Sequence, residues 1–253
     1  MRSAAGSSNG RTAAFGAVYP GSNPGPAAVR ENNKINLGAG WWIVTSFMRY
    51  TLQNMEKFKG VVGILFPSMR RNRSLRILIA VNSILVFIVG LFSPFYAVFV
   101  QKIGGDIAFT GLSWAIFSVV SGILIFLFSR WELKVKEQEL MIALGYFLRA
   151  IVFTSYAFMG SMTQLILTQV LWGVGAAIAT PAFDSVYASH TDKESSVVQW
   201  GEWEGIAAIM TGLAALVGGI IIQQFGYSTV FISMAAISLG LGIYIWRLPR
   251  EVL

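Results

Sequence analysis

Long apolar stretches separated by short charged clusters dominate the chain after residue 74, and they constrain its fold more than any other feature. Six of them are long enough to cross a hydrocarbon core of about 30 Å, which takes a helix of about 20 residues. They are Leu75–Val100, Ala108–Phe128, Leu140–Phe158, Met162–Tyr187, Val197–Ile222 and Ser228–Trp246. Because a bilayer offers no water to backbone N–H and C=O groups, each crossing is expected to be an α-helix. The sequence therefore predicts an all-α, polytopic membrane protein with six transmembrane helices.

Composition supports a membrane location and argues against several kinds of chemistry. Of the 253 residues, 55% are hydrophobic and 12% are charged, whereas soluble domains carry about 25% charged residues. With no cysteine and a single histidine, His190, the chain lacks thiolates and paired imidazoles for a metal site. Ser113, in the segment Gly111–Ala115 (GLSWA), has no histidine within the spans to act as its general base. We therefore expect no metal, no cofactor and no enzymatic activity.

The net charge of +7 arises in the N-terminal part of the chain. Residues 1–74 contain ten basic and two acidic residues, and the remainder contains nine basic and ten acidic ones. No predicted helix carries a basic stripe interleaved with aromatic residues, as a nucleic-acid surface would. The expected partner is the lipid bilayer, and nucleic-acid binding is not expected.

Lysine and arginine residues lie almost entirely on one side of the predicted spans. The N-terminal flank, the second and fourth connections and the C-terminus hold ten of them, and the other connections hold only Lys102. Four tryptophans also lie near the side that carries the basic residues: Trp131, Trp200, Trp203 and Trp246. This position is expected of an aromatic belt at the membrane interface. Since positively charged connections stay in the cytoplasm, the sequence predicts a multi-pass plasma-membrane protein with both termini cytoplasmic.

Residues 1–33 are expected to lie outside the folded protein. They are rich in Gly, Ala, Ser, Asn and Pro and lack periodicity, which is typical of a disordered tail. A second interpretation is that the tail is a mistranslated transfer-RNA gene. Gly21–Gly25 (GSNPG) can be read back to a T-arm consensus and Ser7–Arg11 (SSNGR) to a D-arm, and they start 14 codons, or 42 nucleotides, apart.

Residues 34–74 are interpreted as a linker and a basic juxtamembrane segment. Their apolar runs, Trp41–Met48 and Val61–Pro67, are too short to cross a bilayer. A natural start at Met69 or Met55 would place arginines just before the first long apolar stretch. The six-helix membrane domain is expected over residues 75–248.

Several local patterns in the membrane domain resemble one family of transporters. They are the break Gly90-Leu-Phe-Ser-Pro94 in the first span, the basic connection Arg130–Glu139, the segment Gln169–Ala177 (QVLWGVGAA) in the fourth span, and Gly212 to Gly219 in the fifth. In this layout the chain resembles a six-helix half of the major facilitator superfamily over about residues 75–248. The resemblance implies secondary transport by alternating access.

Three positions depart from the family's usual motifs. The connection Ser129–Lys136 lacks both usual glycines, and Glu132 is its one candidate to stand in for the family's aspartate. Gln169 replaces an arginine found in many proton-coupled members, and Ala214-Ala215 replace the Gly-Pro of antiporters. These departures argue against proton-coupled drug export.

A whole transporter of this family has two six-helix halves related by an axis along the membrane normal. The resemblance therefore implies either a parallel homodimer around a shared cavity or a separate partner that supplies the second half.

Charged and amide side chains in or beside the spans are the candidates for a cavity or a gate: Asn82, Glu132, Arg149, Gln169, Asp184, Glu202 and Glu204. Arg149 lies nine residues into the third span, where a charge costs at least about 2.5 kcal/mol. It either contacts a solute or coupling ion, or forms a structural ion pair. Trp172 and Tyr96 are further candidates for the cavity wall.

The three acidic candidates, Asp184, Glu202 and Glu204, are expected at the cytoplasmic end. Two positions along a helix correspond to about 200°, so Glu202 and Glu204 cannot face the same side. One is expected to face the protein interior and the other the lipid headgroups. A role in a gate or in proton titration competes with simple placement of acids at a helix N-terminus.

Two functions remain open on the sequence. The first is a half-size secondary transporter of a small solute that acts as a homodimer by alternating access. The second is a non-transporting accessory subunit or a truncated transporter fragment, in which the same polar residues only hold helices together.

Overall fold

A computed structural model describes residues 72–132 and 134–249, with Glu132 described by its backbone alone. The predictions made for residues 1–71, including the start codon and the tail, lie outside the described residues. The described chain is helical throughout and contains no strand, as the sequence predicts.

The helices follow the apolar stretches in chain order. They are α1 (Arg73–Gly90), a 3₁₀ turn (Ser93–Phe95), α2 (Tyr96–Lys102), α3 (Ile107–Glu132), α4 (Gln138–Ala157), α5 (Met162–Ser189) and α6 (Ser196–Arg247). Taking α1 to α2 as one interrupted span, five elements of the described chain are long and apolar enough to cross a membrane.

The first span begins at a side-chain cap that also ties it to a distant connection. The Asn72 side chain accepts hydrogen bonds from the backbone N–H groups of Ser74 and Leu75 at 2.9 and 3.3 Å. Its Nδ2 donates to the carbonyl of His190 at 2.9 Å. Asn72 therefore satisfies donors that a helix start leaves open and fixes α1 beside the connection that follows α5. We call this end of the bundle the His190 end, and the opposite end, which carries the α4–α5 connection, the Gly160 end.

The predicted break in the first span is confirmed. Pro94 has no N–H to donate to the carbonyl of Gly90, so the α-helical ladder cannot continue through it. The chain forms a 3₁₀ turn instead, in which the Phe95 N–H donates to the Phe92 carbonyl at 2.8 Å. Helical geometry resumes at Tyr96.

The sequence predicts two helices after residue 196, and the structure has a single 52-residue element, α6, interrupted at Gly226. Gly226 has φ +79°, a value that glycine tolerates and other residues rarely adopt. The chain reverses there. Gln199 contacts residues at the His190 end, the Ser228 hydroxyl donates to the Ala157 carbonyl at the Gly160 end, and Gly242 lies against Phe147, back along α4. The expected connection between the fifth and sixth stretches is thus reduced to one non-helical residue.

Aromatic side chains form the core near the Gly160 end. The Phe231 ring centroid lies 4.7 Å from that of Phe92, 5.0 Å from that of Phe99 and 5.2 Å from that of Tyr156, and all four residues are fully or almost fully buried. Edge-to-face and offset contacts of this kind are favourable for aromatic rings. They join α2, α4 and the second part of α6 around the break in the first span.

The break packs directly on the first part of α6. A Cβ placed on Gly218 would overlap the carbonyl group of Leu91, and one placed on Gly90 would lie 2.8 Å from the Ala214 side chain. Close backbone approach through small residues is a common way for membrane helices to associate. Gly218 and Ala214 are therefore closely packed, whereas a Cβ added to Gly212 has no described atom within 4 Å.

We expect Gly218→Ala to lower the free energy of unfolding by about 1–3 kcal/mol, because the new methyl group meets a backbone carbonyl that cannot move aside. The matched control is Gly240→Ala, which is also in a helix and has no atom within 4 Å of its added Cβ. The control should be neutral or up to about 1 kcal/mol stabilising. Unfolding in mixed micelles followed by circular dichroism measures both, and equal effects of the two changes would contradict this packing.

Candidate functional site

A cavity of about 290 Å³ lies at the break of the first span. Side chains of α1, α3, α4, α5 and α6 line it, and most of them are apolar. Its polar lining consists of Ser93, Arg149, Thr180 and Thr211. A largely apolar pocket with a few converging polar groups is the usual form of a small-molecule site.

Arg149 reaches the cavity because α4 and α5 cross closely. A Cβ on Gly145 would overlap the Ala179 side chain and lie 3.2 Å from the Gly175 carbonyl. Arg149 follows Gly145 by four residues and therefore lies on the same face of α4, one turn closer to the Gly160 end. The small residues at the crossing thus bring its guanidinium to the cavity wall.

The guanidinium of Arg149 has an aromatic neighbour. Its Cζ lies 5.7 Å from the centre of the buried Tyr146 ring, within range of a cation–π interaction. Among residues 72–132 and 134–249, no carboxylate pairs with it and no acceptor forms a hydrogen bond with it. The sequence leaves open a structural ion pair or a solute contact, and the described residues provide a cavity rather than a carboxylate.

Asn82 lies near the cavity without being part of its wall. Four and seven residues separate it from Val86 and Val89, both of which line the cavity, so all three share one face of α1. Asn82 is half-buried, one turn toward the His190 end.

Gln169 belongs to a buried hydrogen-bonded chain instead of the cavity lining. Its Nε2 donates to the Tyr96 hydroxyl, which lies 2.6 Å from the Ser113 hydroxyl. Ser113 in turn donates to the Thr110 carbonyl of its own helix at 2.9 Å. These contacts join α5, α2 and α3 through side chains that are buried from solvent. Tyr96, expected in the cavity wall, is likewise part of this chain, whereas Trp172 does line the cavity.

The three acidic candidates lie toward the His190 end. Glu202 is 7% exposed, whereas Glu204 and Asp184 are exposed. Asp184 and Glu204 are close enough to repel each other electrostatically. The structure thus places Glu202 and Glu204 on different sides of α6 and brings none of the three into the cavity. The Glu132 side chain lies outside the described residues.

Comparison with known families agrees with this architecture. The sequence profile of the Major Facilitator Superfamily matches residues 77–252. The chain belongs to the major facilitator superfamily. No curated protein and no solved structure matches it. Members of this superfamily are membrane transporters, so this chain is a multi-pass membrane protein of the transporter type.

Three hydroxyl residues that line the cavity of this major facilitator chain were not predicted from the sequence: Ser93, Thr180 and Thr211. Two of them directly precede prolines, Pro94 and Pro181, both within helical spans. Interrupted membrane helices are a known indicator of binding sites, because they free backbone groups near the bilayer midplane. That signal was available for Ser93 and Thr180, whereas Thr211 enters the cavity only through the packing of α6 on α1.

Tyr96→Phe should destabilise the protein by about 1 kcal/mol, because it removes the interhelical partner of Gln169 and Ser113. Tyr156→Phe is the matched control. Tyr156 is equally buried, but its hydroxyl has no hydrogen-bond partner among the described residues. Unfolding in micelles should show a loss for the first change and none for the second. A larger loss for Tyr156→Phe would contradict the assigned chain of hydrogen bonds.

Proposed function

We propose that this chain carries a small solute across the plasma membrane as a homodimer, by alternating access of a cavity shared between two parallel copies. In this proposal each copy crosses the bilayer six times, with both termini in the cytoplasm. The reversal at Gly226 supplies the fifth and sixth crossings from α6. The His190 end is cytoplasmic because it carries most of the basic residues.

Exposed glycines on α3 and α6 are the observation that carries the proposal. Seven glycines in these helices have no atom within 4 Å of an added Cβ. Five of them lie on α3 and on the part of α6 before Gly226: Gly111, Gly122, Gly201, Gly205 and Gly212. On α3 the small residues recur at intervals of four, three and four residues: Gly111, Ala115, Ser118 and Gly122. On the first part of α6 they recur at intervals of four, three, four and three: Gly201, Gly205, Ala208, Gly212 and Ala215. Each set therefore forms one stripe along its helix.

These stripes favour a protein partner over lipid. Glycine gains nothing from contact with acyl chains and weakens a helix, but it lets a second helix approach closely. The most apolar parts of these two helices are also little covered by the rest of the described chain. Only 6% of the most apolar part of α3 and 17% of that of α6 are buried, against 44–56% in the other spans.

A second copy of this chain fits the two stripes. Within one copy, α3 packs mainly on α5, whereas α6 packs on α1 and α4. The chain runs toward the His190 end along α3 and away from it along the first part of α6. In a parallel homodimer, α3 of one copy can therefore pair antiparallel with α6 of the other, and the cavity wall from α1, α5 and α6 would face the shared space.

Cysteine cross-linking tests the dimer, and the cysteine-free sequence makes the experiment direct. We expect Gly122→Cys with Gly212→Cys to give a dimer on mild oxidation in native membranes. Gly122→Cys with Gly240→Cys is the matched control. Gly212 and Gly240 both lie 14 residues from Gly226 in opposite directions, so they have similar depth and both are exposed. Absence of the dimer in the first pair, or an equal yield in the control, would refute the homodimer and favour a non-transporting or differently partnered role.

Accessibility labelling tests alternating access without knowledge of the solute. Thr211→Cys, in the cavity wall, should react with an impermeant methanethiosulfonate from either side of oriented membrane vesicles. His190→Cys should react only from the cytoplasmic side and Gly160→Cys only from the outside, which calibrates the orientation. Gly240→Cys should remain unlabelled. Reaction of Thr211→Cys from one side alone would indicate a static protein instead of a transporter.

A further inference from the structure

A lone cation stands in the wall of an otherwise uncharged cavity. Arg149 is the single charged residue of the cavity lining, and the other polar groups there are the hydroxyls of Ser93, Thr180 and Thr211. No acidic side chain contributes to the lining. A positive charge in a low-dielectric wall, near the middle of a membrane span, creates a site of positive potential.

The way in which Arg149 is held leaves its donors available. The guanidinium carries five N–H donors around a planar edge. Among the described residues, the guanidinium makes one cation–π contact, with the ring of Tyr146, and no salt bridge. Because no acceptor among the described residues forms a hydrogen bond with the guanidinium, its N–H groups remain available to a ligand. Two parallel N–H groups match the two oxygens of a carboxylate or a sulfonate.

The apolar part of the cavity limits the size and character of the ligand. Trp172 and Phe117 supply aromatic surface, with their ring centroids 5.3 Å apart. The volume of about 290 Å³ lies just below the lower bound of about 300 Å³ for sites that enclose drug-sized ligands. A compact ligand with a short apolar part fits this space.

We propose that this cavity binds a small organic anion, whose oxyanion head group pairs with Arg149 and whose apolar part packs against Trp172 and Phe117. The proposal names a substrate class for the proposed transport function. It rests on that function only for whether the bound anion is carried across the membrane. The hydroxyls of Ser93 and Thr180 serve as additional donors to the same head group. Thr211 donates its own proton to the Ala207 carbonyl at 2.9 Å, so we do not assign it as a donor to the head group.

Saturation-transfer-difference NMR on the full chain in detergent micelles tests the site, with methanesulfonate as the probe. This anion remains charged at all working pH values and has a single methyl signal. Dimethyl sulfone is its neutral counterpart, with a methyl group in place of one oxygen. We expect saturable binding of methanesulfonate and none of dimethyl sulfone, a comparison that needs no variant.

Arg149→Gln should weaken methanesulfonate binding at least about tenfold, because a charged hydrogen-bonded partner is lost. Arg247→Gln is the matched control, since it removes one arginine from an exposed position at the end of α6. It should leave binding unchanged. Arg149→Lys, which keeps the charge and loses the planar fork, should give an intermediate affinity.

Binding of both probes with equal affinity, no saturable binding, or an affinity unchanged by Arg149→Gln would overturn the anion site. Binding requires neither turnover nor a dimer, so it separates this inference from the transport function. Saturable binding without uptake of methanesulfonate into proteoliposomes would leave the site in place and refute transport of this anion. Uptake of a neutral solute by a protein that does not bind methanesulfonate would refute the anion site and leave the transport function in place.

Discussion

Backbone hydrogen bonding without water is the constraint on which the rest of this structure depends. A bilayer forces each crossing to satisfy its own N–H and C=O groups, so the chain is helical wherever it is apolar. The consequence is sharpest at Pro94, which cannot bond to the Gly90 carbonyl. The first span is interrupted there, and α6 covers the interruption at Gly218. Ser93, the cavity and the aromatic core around Phe92 all lie beside this interruption.

Glycines have two distinct uses in this protein. Gly145 and Gly218 lie where another backbone passes so closely that a side chain would overlap it, and they hold the chain's own helices together. Gly111, Gly205 and Gly212 face open space. A packed glycine is explained by the chain itself, whereas an open one requires a partner or carries a cost in helix stability. This difference is the basis for assigning α3 and α6 to an interface.

Polar side chains within the spans also fall into two groups. Gln169, Tyr96 and Ser113 are buried and hydrogen-bonded to one another across three helices, so they stabilise the bundle. Arg149 contacts a ring, lines a cavity and has no carboxylate partner among the described residues. Functional sites commonly keep groups that a purely structural protein would neutralise or remove. The same helices therefore carry one polar set that joins them to one another and one cation that faces the cavity.

The sequence by itself determined the helical class and the break at Pro94, because these follow from local hydropathy and from the missing N–H of proline, and its local motifs indicated the family. It also determined that Glu202 and Glu204 lie on different sides of their helix, since that is a matter of helical period. Only the tertiary structure decided that Arg149 borders a cavity and that the Gln169 amide donates a hydrogen bond to Tyr96. It also decided that Gly218 is packed against another backbone while Gly212 is open. Hydropathy and period place a side chain on a helix face, but which helix covers that face depends on backbone approach between residues distant in sequence. That approach is set by pairs such as Gly145 with Ala179, and neither member of the pair carries the information alone.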